Sequence, residues 1–385
     1  MTRSLRVLHV ASGDLWAGAE VQAFTLMAHL ARSPGVEVAA VLLNDGRLAQ
    51  ELRAAGIEVH IVDERQTGAV SIVMRLRRVL QEWRPDVVHT HRIKENILGS
   101  VANRLCGNVP CVRTTHGGDE RRPRRGVRSA VNRAAFGLDQ WCGRVLQQKI
   151  VAVSNPLGQA LVEQFGRDKV VVIENGVDAD VVRSQCGVAV ADFRTTDPGA
   201  AHIGLIGRLV AVKRVDLFIG MAALLNAERP MRQLRFHVFG EGPLRAMLVD
   251  LARRSQVAEL IKFHGHREDI ATCLGGLDVL VNCSDHEGMP MTSLEASALG
   301  VPLVAHAVGG LTSVVPEEFL VHQHDASGYK AAVLRALCAD ARTITKKNAE
   351  STLNKFSAQR NAERIRALYE QLIERTGAGE NHRCV

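Results

Sequence analysis

Short apolar runs alternate with helix-like segments along nearly the whole chain, and this alternation restricts the possible folds more than any other sequence feature. The runs have the length and the Val, Ile and Leu content of buried parallel strands. In the first half we predict strands at Leu5–Val10, Val36–Leu43, Ile57–Val62, Asp86–Thr90, Cys111–Thr115 and Ile150–Val153, with helices near Val70–Trp83, Lys94–Leu105 and Pro156–Phe165. Such a succession is typical of a parallel sheet with helices on both faces.

The pattern stops once and then begins again. Residues 179–200 show little periodicity and end in Thr-Thr-Asp-Pro-Gly, so we predict a linker there. Strands resume at Ala201–Ile206, Leu234–Phe239, Ile261–Gly265 and Leu277–Cys283. Because 385 residues are too many for one ordinary core, we predict two doubly wound domains, 1–185 and 186–360, and a C-terminal helix with a disordered tail at 361–385.

Composition narrows the functional classes. Hydrophobic residues make up 46% of the chain, as in soluble globular proteins, and no apolar run approaches the roughly 18 residues that span a bilayer. The N-terminus enters a strand without a secretory apolar region, which indicates a cytoplasmic protein. The eight cysteines occur singly, so we expect neither a disulfide framework nor a zinc site. Of the net charge of +7, residues 1–185 carry 25 − 19 = +6, which favours a phosphate-bearing or membrane-surface partner.

The stretch from Glu287 to Glu295 follows a buried strand and carries the strongest chemical signal. Pro290 suits the first turn of a helix, and Gly288 beside Met289 leaves backbone N–H groups that can face an anion. Each carboxylate can accept two hydrogen bonds from a vicinal diol. The stretch therefore predicts a binding site for a nucleotide sugar, with the phosphates at the N-terminus of the helix and the hydroxyls on the carboxylates. The alternative is a solvated surface loop with two unrelated acids.

A second basic motif follows the strand at Ala201–Ile206. Gly207 is followed by Arg208, and Lys213 stands five residues further on. Arginine offers a planar fork of donors and lysine a point charge, and the two together suit a diphosphate.

Together these motifs closely resemble the donor-site signature of the retaining GT-B glycosyltransferases of family 4. The resemblance implies two Rossmann-like domains facing a cleft, with the last helix crossing back to the first domain. It implies that Glu287 contacts the donor sugar and Glu295 the ribose, while Arg208 and Lys213 neutralise the leaving diphosphate. It further implies that the backbone at Gly265, His266 and Arg267 recognises the base, and that transfer retains the anomeric configuration.

The first half supplies the remaining candidates. The loop before the first helix keeps Gly18 where the family usually has two glycines, and close backbone approach to a phosphate or a sugar is expected there. His116 follows a strand and precedes two glycines, so we expect it to contact the donor sugar; a structural loop histidine is the alternative. On the acceptor side the candidates are His91, Arg92 and Asp119, although core packing explains His91 equally well.

Residues 119–148 depart from the strand-helix rhythm. They contain seven arginines against three acids, and apolar residues up to Trp141 follow approximate helical spacing. A basic amphipathic helix with a tryptophan suits an anionic membrane surface or a lipid-linked acceptor. A solvated face over an inter-domain helix explains the pattern equally well.

The leading hypothesis is a glycosyltransferase that moves a sugar from a UDP- or GDP-sugar to a glycan or lipid-linked acceptor. We expect no cofactor and no metal, because no Asp-x-Asp pair stands at a strand end and fixed cations can take the place of Mg²⁺. A nucleotide-sugar epimerase on the same fold is one alternative, against which the Glu287/Glu295 pair argues. A basic nucleic-acid-binding protein is a weaker one, because only 4% of residues are aromatic and single-strand binders rely on stacking.

Overall fold

The computed structural model describes residues 3–13, 16–117, 129–187, 191–228 and 232–377. The chain divides into two compact units. Unit 1 comprises Met1–Gly176 and Ala358–Val385, and unit 2 comprises Val177–Ser357. Asp119, most of the arginine-rich stretch before residue 129 and the predicted disordered tail beyond residue 377 lie outside the described residues.

Unit 1 is built on a seven-stranded sheet whose paired strands are all parallel. Its elements are β1 (Leu5–Ala11), α1 (Gly18–Ala31), β2 (Val36–Leu42), α2 (Arg47–Ala54), β3 (Glu58–Ile61), α3 (Ala69–Trp83), β4 (Val87–His91), α4 (Arg92–Arg104), β5 (Cys111–Thr115), α5 (Ser129–Val145), β6 (Lys149–Ala152), α6 (Asn155–Phe165) and β7 (Val170–Val172). The strand order is β3-β2-β1-β4-β5-β6-β7, so the order reverses between β1 and β4.

Unit 2 repeats the design with six parallel strands in the order β10-β9-β8-β11-β12-β13. Its elements are α7 (Ala179–Cys186), α8 (Asp192–Thr196), β8 (Ala201–Ile206), α9 (Val215–Ala227), β9 (Leu234–Phe239), α10 (Arg245–Arg254), β10 (Ile261–Gly265), α11 (Ile270–Gly275), β11 (Val279–Asn282), α12 (Met291–Leu299), β12 (Leu303–His306), β13 (Leu320–Val321), α13 (Ala326–Ala336) and α14 (Ala341–Lys355). Short 3₁₀ turns lie at Ala211–Lys213, Gly309–Ser313 and Glu317–Phe319. The predicted pair of Rossmann-like parallel sheets is therefore confirmed.

The C-terminal helix α15 (Ala358–Thr376) packs against α1 within unit 1. Ile365, Leu368 and Tyr369 lie buried in the same hydrophobic cluster as the inner residues of β1 and α1. The Tyr369 hydroxyl hydrogen-bonds the ring of His89 on β4. The end of the chain thus completes the core formed by its beginning.

The structure differs from the prediction in two places. The segment predicted as a linker forms α7 and α8, because the Asp178 side chain caps α7 and Phe193 of α8 is buried against His202 and His237. Helix α14 was not predicted, because polar and charged residues dominate its sequence and tertiary contacts, mainly with α12, hold it in place. Among the described helices, none is both long and apolar enough to cross a membrane.

Replacing Tyr369 by alanine tests the contribution of α15 to unit 1. We expect Tyr369→Ala to lower the free energy of unfolding by about 3–5 kcal/mol, because it removes a fully buried aromatic ring. The matched control is Glu370→Ala on the exposed side of the same helix, which should cost at most about 0.5 kcal/mol. Urea denaturation measures both. A loss below about 1 kcal/mol for Tyr369→Ala would show that α15 is dispensable to the core.

Candidate functional site

The candidate residues of unit 2 collect at the carboxyl ends of two neighbouring strands, β8 and β11. The strand order of unit 2 reverses between these strands, and open parallel sheets bind ligands in the crevice at such a reversal. Gly207 and Arg208 directly follow β8, and Glu287 stands five residues beyond β11. The sequence therefore predicted both motifs at the edge of the sheet where a ligand is expected.

Glu287 is the most strongly held carboxylate at this edge. Its Oε1 atom accepts hydrogen bonds from Lys213 Nζ at 2.5 Å, Ser284 Oγ at 2.7 Å and Asn282 Nδ2 at 3.1 Å. Burial opposes ionisation, but the Lys213 ammonium and these donors outweigh it and hold the pKa of Glu287 below its ordinary value. The carboxylate is therefore charged at neutral pH, and its Oε2 atom has no partner among the described residues.

Two glycines fix the backbone around Glu287. A Cβ atom on Gly309, whose φ is +56°, would lie 2.0 Å from the Glu287 carbonyl oxygen. The amide of Gly310 donates to the Gly288 carbonyl at 2.6 Å, and a Cβ there would lie 2.7 Å from the same oxygen. Any side chain at either position would push this loop away, so the pair Gly309-Gly310 acts as a backbone clamp.

The loop that carries Arg208 is held in the same way. A Cβ on Gly240, at φ +134°, would lie 2.0 Å from the Gly207 carbonyl, and one on Gly242 would lie 2.4 Å from the Leu209 carbonyl. The backbone amide of Leu209 also donates to the carbonyl oxygen of Glu241 at 3.0 Å. The Arg208 side chain is exposed and makes no hydrogen bond or ion pair with any described residue. The loop thus fixes the backbone at Arg208, and the guanidinium remains available to an anion.

Lys213 is positioned by the residue that follows it. Arg214 adopts a left-handed backbone conformation, with φ +46°, which is uncommon for a side chain of this size. Its guanidinium forms ion pairs with Asp216 at 2.9 Å and with Asp285 at 3.1 Å, which raise its pKa further. These ion pairs anchor the turn and direct Lys213 toward Glu287.

Glu295 lies on α12, as predicted, and differs from Glu287 in having no partner among the described residues. It is half-buried, and no hydrogen bond or ion pair joins it to the part of the chain that the structure describes. Burial raises its pKa to about 7. A carboxylate that is poorly solvated and unpaired gains more free energy from two incoming hydroxyl donors than a carboxylate that already has partners.

The N-terminus of α12 lies between the two carboxylates in sequence. Pro290 occupies the capping position rather than the first turn, and Met289 is buried against the glycine clamp. The amides of Met291 and Thr292 have no backbone partner among the described residues. These N–H groups give the helix end the positive potential that a phosphate requires.

The predicted base-recognition segment follows β10. Gly265 is buried with φ +74°, and its carbonyl accepts the amide of Gly240 at 2.7 Å. His266 is exposed. The Arg267 guanidinium is engaged by Asp269 at 2.6 Å and Asp192 at 3.5 Å, so its side chain is not free for a ligand.

In unit 1, Gly18 begins α1 and Arg92 begins α4. Arg92, at φ +67°, forms an ion pair of 2.5 Å with the buried Glu20 of α1. This pair ties the end of β4 to the first turn of α1. Arg92 is therefore committed to a structural contact within unit 1.

The histidines of unit 1 stand side by side on adjacent strands. His91 is buried, with Nε2 3.1 Å from His9 Nδ1 and Nδ1 3.2 Å from His116 Nε2. Both ring nitrogens of His91 are thus engaged inside the protein, which leaves it no direct contact with an acceptor. His116 extends this row at the carboxyl end of β5, and its Nδ1 atom is buried without a partner among the described residues.

One group of described side chains has spacing within reach of a metal ion. Nitrogen atoms of His9, His89 and His91 lie within 4.8 Å of one another. Both nitrogens of His89 already bind hydroxyl groups, those of Tyr369 and Thr114, and His91 is engaged on both sides. The group therefore functions as a hydrogen-bonded part of the core.

Sequence reasoning missed several positioning residues. Asn282 ends β11 and Ser284 follows two residues later. Because side chains two residues apart in an extended segment lie on the same side, this spacing indicates that both can face one carboxylate. The roles of Gly240 and Gly309 depend on carbonyls of loops far away in sequence, so no local pattern shows them. His9 lies within an apolar run and gave no sign of its partners.

Family models match both halves of the chain. The model described as Glycosyltransferase Family 4 matches residues 16–181, and that described as Glycosyl transferases group 1 matches residues 200–339. A glycogen synthase of Mycobacterium tuberculosis is 30% identical over 241 residues, which cover 61% of this chain. The match spans 55% of that relative's length, little more than half of it.

A galactosyltransferase of Escherichia coli, UDP-Gal:alpha-D-GlcNAc-diphosphoundecaprenol alpha-1,3-galactosyltransferase, is 27% identical over 317 residues, covering 78% of this chain and 79% of the relative. Among solved structures, Anabaena HepE in complex with UDP-glucose superposes with a TM-score of 0.78 at 20% identity, covering 95% of this chain and 100% of the other. At this identity the superposition shows a shared fold. The chain therefore belongs to the group 1 glycosyltransferases of family 4 and has the GT-B fold.

Proposed function

We propose that this glycosyltransferase moves a hexosyl group from a UDP- or GDP-sugar to a glycan or lipid-linked acceptor, with retention, in the synthesis of a cell-surface polysaccharide or glycolipid. The observation that carries the proposal is the contrast at the reversal point of unit 2. Glu287 is charged and paired with Lys213 at 2.5 Å, whereas Glu295 and Arg208 have no partner among the described residues. The paired group is held in place, and the other two remain available to a ligand.

Each group has a role that its chemistry supports. The Glu295 carboxylate accepts both hydroxyls of the ribose, and the amides at the start of α12 donate to phosphate oxygens. Glu287 accepts a sugar hydroxyl on its unoccupied Oε2 atom. Arg208 and Lys213 stabilise the negative charge that grows on the diphosphate as the sugar leaves. The backbone at Gly265 reads the base, Gly18 approaches the donor, and His116 hydrogen-bonds the sugar.

No metal is required in this scheme. Two cations, Arg208 and Lys213, and a helix end supply positive charge at the diphosphate, which is the role of Mg²⁺ in other phosphate sites. Retention rests on the family resemblance, through an oxocarbenium-like transition state in which the acceptor attacks from the face that the diphosphate leaves. The UDP-glucose complex of HepE supports a uridine nucleotide as donor. The name of the E. coli relative supports a lipid-linked acceptor.

Helix α5 supports a location at the cytoplasmic face of a membrane. Leu138, Trp141 and Val145 are exposed, and at 100° per residue they fall within about 60° of the helix circumference. The opposite side is anchored in unit 1, where Asp139 forms a buried ion pair of 2.8 Å with Arg113. An apolar stripe next to an arginine-rich sequence suits the interface of a bilayer with anionic lipids.

A nucleotide panel with Glu295→Gln beside the wild type tests the donor site. Among UDP, GDP, ADP, TDP and CMP, we expect one to raise the melting temperature by several degrees, since a ligand at a hundred times its Kd adds about 2.7 kcal/mol. The variant should show a clearly smaller shift, because an amide cannot accept both ribose hydroxyls as strongly. If no nucleotide shifts the wild type and short oligonucleotides do, the donor-site assignment is wrong.

The same residue predicts how donor affinity depends on pH. Only the carboxylate form accepts two hydroxyl hydrogen bonds, so protonation near a pKa of about 7 weakens binding. Between pH 8 and pH 6 we expect the Kd of the matching nucleotide sugar to rise about tenfold. A nucleotide sugar is the correct probe because its diphosphate does not titrate in this range. Calorimetry on Glu295→Gln should give a flat profile, and equal slopes for both proteins would exclude Glu295 as the cause.

Lys213→Ala separates charge stabilisation from donor binding. We expect kcat to fall about 10²–10³-fold with a much smaller change in nucleotide Kd, because the diphosphate gains charge in the transition state. Lys213→Arg keeps a cation beside Glu287 and should retain more of the turnover. Lys262→Ala, an exposed lysine in the same unit, is the matched control and should change neither value. Equal losses in kcat and affinity for Lys213→Ala would show that its contribution is uniform binding.

Trp141→Ser tests the membrane surface. Sedimentation with vesicles that contain phosphatidylglycerol should show at least about fivefold weaker binding, equivalent to about 1 kcal/mol of lost apolar burial. Met247→Ser removes an exposed apolar side chain from α10 and serves as the control, with no expected change. Binding that is equal for wild type and Trp141→Ser would leave α5 without a role at the bilayer.

A further inference from the structure

Three imidazole rings in unit 1 form a continuous hydrogen-bonded chain. His9 Nδ1 lies 3.1 Å from His91 Nε2, and His91 Nδ1 lies 3.2 Å from His116 Nε2. Successive rings are stacked, with centroids 5.4 Å apart in both pairs. The chain begins within β1, passes through the end of β4 and ends after β5.

A neutral imidazole has one N–H donor and one lone-pair acceptor, so the two links of this chain are not independent. If His9 donates from Nδ1, His91 must accept on Nε2, donate from Nδ1, and leave His116 protonated on Nδ1. If instead His116 donates from Nε2, all three rings are protonated on Nε2. Any mixture of the two forms breaks a link. The three rings therefore share one choice of tautomer.

Within the part of the protein that the structure describes, the two end atoms of this chain of rings are the ones without a hydrogen-bond partner. His9 Nε2 and His116 Nδ1 are both buried and have no partner among the described residues, whereas the four nitrogens between them are engaged. Burial lowers the pKa of His91 to about 3 and those of His9 and His116 well below their ordinary value. Like-charge repulsion, from Arg92 on His91 and His116 and from His91 on its neighbours, acts in the same direction. All three rings are thus neutral near pH 7.

Unit 2 contains a second hydrogen-bonded chain of histidine rings, and the first ring of this chain bonds a backbone carbonyl. His202 Nδ1 lies 2.9 Å from His237 Nε2, and His237 Nδ1 lies 2.9 Å from His264 Nε2. Here His202 Nε2 lies 2.8 Å from the carbonyl oxygen of Asp197, which can only accept. That carbonyl forces every ring in the second chain to carry its proton on Nε2. The chain in unit 1 has no such anchor at either end among the described residues.

We propose that His9, His91 and His116 act as a single tautomeric unit, and that a ligand oxygen bound at His116 Nδ1 selects the common tautomer of all three rings. A phosphoryl oxygen can only accept and therefore selects Nδ1–H throughout. A sugar hydroxyl can donate or accept, so it is compatible with both forms. His9 and His91 are positioning residues in this unit, because they set the proton on an atom that they do not contact.

The inference rests on the proposed contact between His116 and the donor only for the effect of ligand. The coupling itself is a property of the free protein. The two can fail separately, and NMR of the free and liganded protein distinguishes these failures.

Nitrogen NMR of wild-type protein labelled with ¹⁵N-histidine reads the tautomer of each ring directly. We expect His9, His91 and His116 to show the same ratio of Nδ1–H to Nε2–H forms. The chain formed by His202, His237 and His264 provides an internal reference in the same spectrum and should be Nε2–H throughout. Opposite tautomers in any two of the three unit 1 rings would overturn the proposal.

Adding the nucleotide sugar that stabilises the protein gives the second readout. The ratio should change by the same factor in all three rings, including His9, and the nucleoside diphosphate alone should drive it further toward Nδ1–H if a phosphoryl oxygen is the partner. A change confined to His116 would overturn the coupling. Rings that share a tautomer but respond to neither ligand would support the coupling and overturn the selection of the tautomer by a phosphoryl oxygen at His116 Nδ1.

A variant tests whether the coupling survives a shortened chain of rings. In His9→Leu the Nε2 atom of His91 loses its partner, but the hydrogen bond between His91 Nδ1 and His116 Nε2 remains. We expect His91 and His116 to keep one common tautomer, because a single proton lies between them. His202→Leu breaks the other chain and should leave His116 unchanged. Finding His116 as Nε2–H in His9→Leu, while His91 is Nδ1–H, would contradict the proposal.

Discussion

The candidate site of unit 2 depends on one partly buried charge pair, Lys213 with Glu287. Glu287 would resist ionisation in its half-enclosed position, yet Lys213 at 2.5 Å and two neutral donors keep it charged. Such a pair gives little net stability, because desolvation offsets much of the attraction. What it provides is geometry, since it fixes a cation and an anion at the reversal point of the sheet. Glu295, eight residues further along the chain, has no such partner among the described residues, and burial alone sets its pKa. The two carboxylates of one short stretch therefore differ in pKa, because Lys213 and hydrogen bonds lower that of Glu287 and burial raises that of Glu295.

Close backbone contacts hold this arrangement. Gly309 and Gly240 bring carbonyl oxygens to within 2.0 Å of where a Cβ atom would stand. Two loops, one after β9 and one after β12, are thereby pressed against the segments that carry Arg208 and Glu287. The arrangement keeps backbone amides and side chains at fixed positions before any ligand arrives, which is how preorganised charge stabilisation works.

Much of the fold and part of the site could be predicted from local pattern. The strand Cys111–Thr115 was predicted to the residue, because a buried parallel strand between Pro and Gly signals has few alternatives. Helix α12 and the position of Glu295 on it followed from the apolar run and Pro290. Helix α14 and the helices in the predicted linker escaped prediction because tertiary contacts, such as the burial of Phe193, stabilise them. The partners of Glu287 escaped for the same reason, apart from the alternation at Asn282 and Ser284.

The sequence by itself determined the two parallel sheets, the family and the residue types available for phosphate and diol chemistry. Those properties follow from the spacing of apolar residues and from short motifs, which act over a few residues of chain. Only the tertiary structure decided which of those residues are free and which are engaged. His91 and His116 look alike in sequence, but one is enclosed on both sides and the other ends a chain of rings. The reason is that protonation and hydrogen bonding depend on distances between strands, and β1, β4 and β5 become neighbours only when the sheet forms.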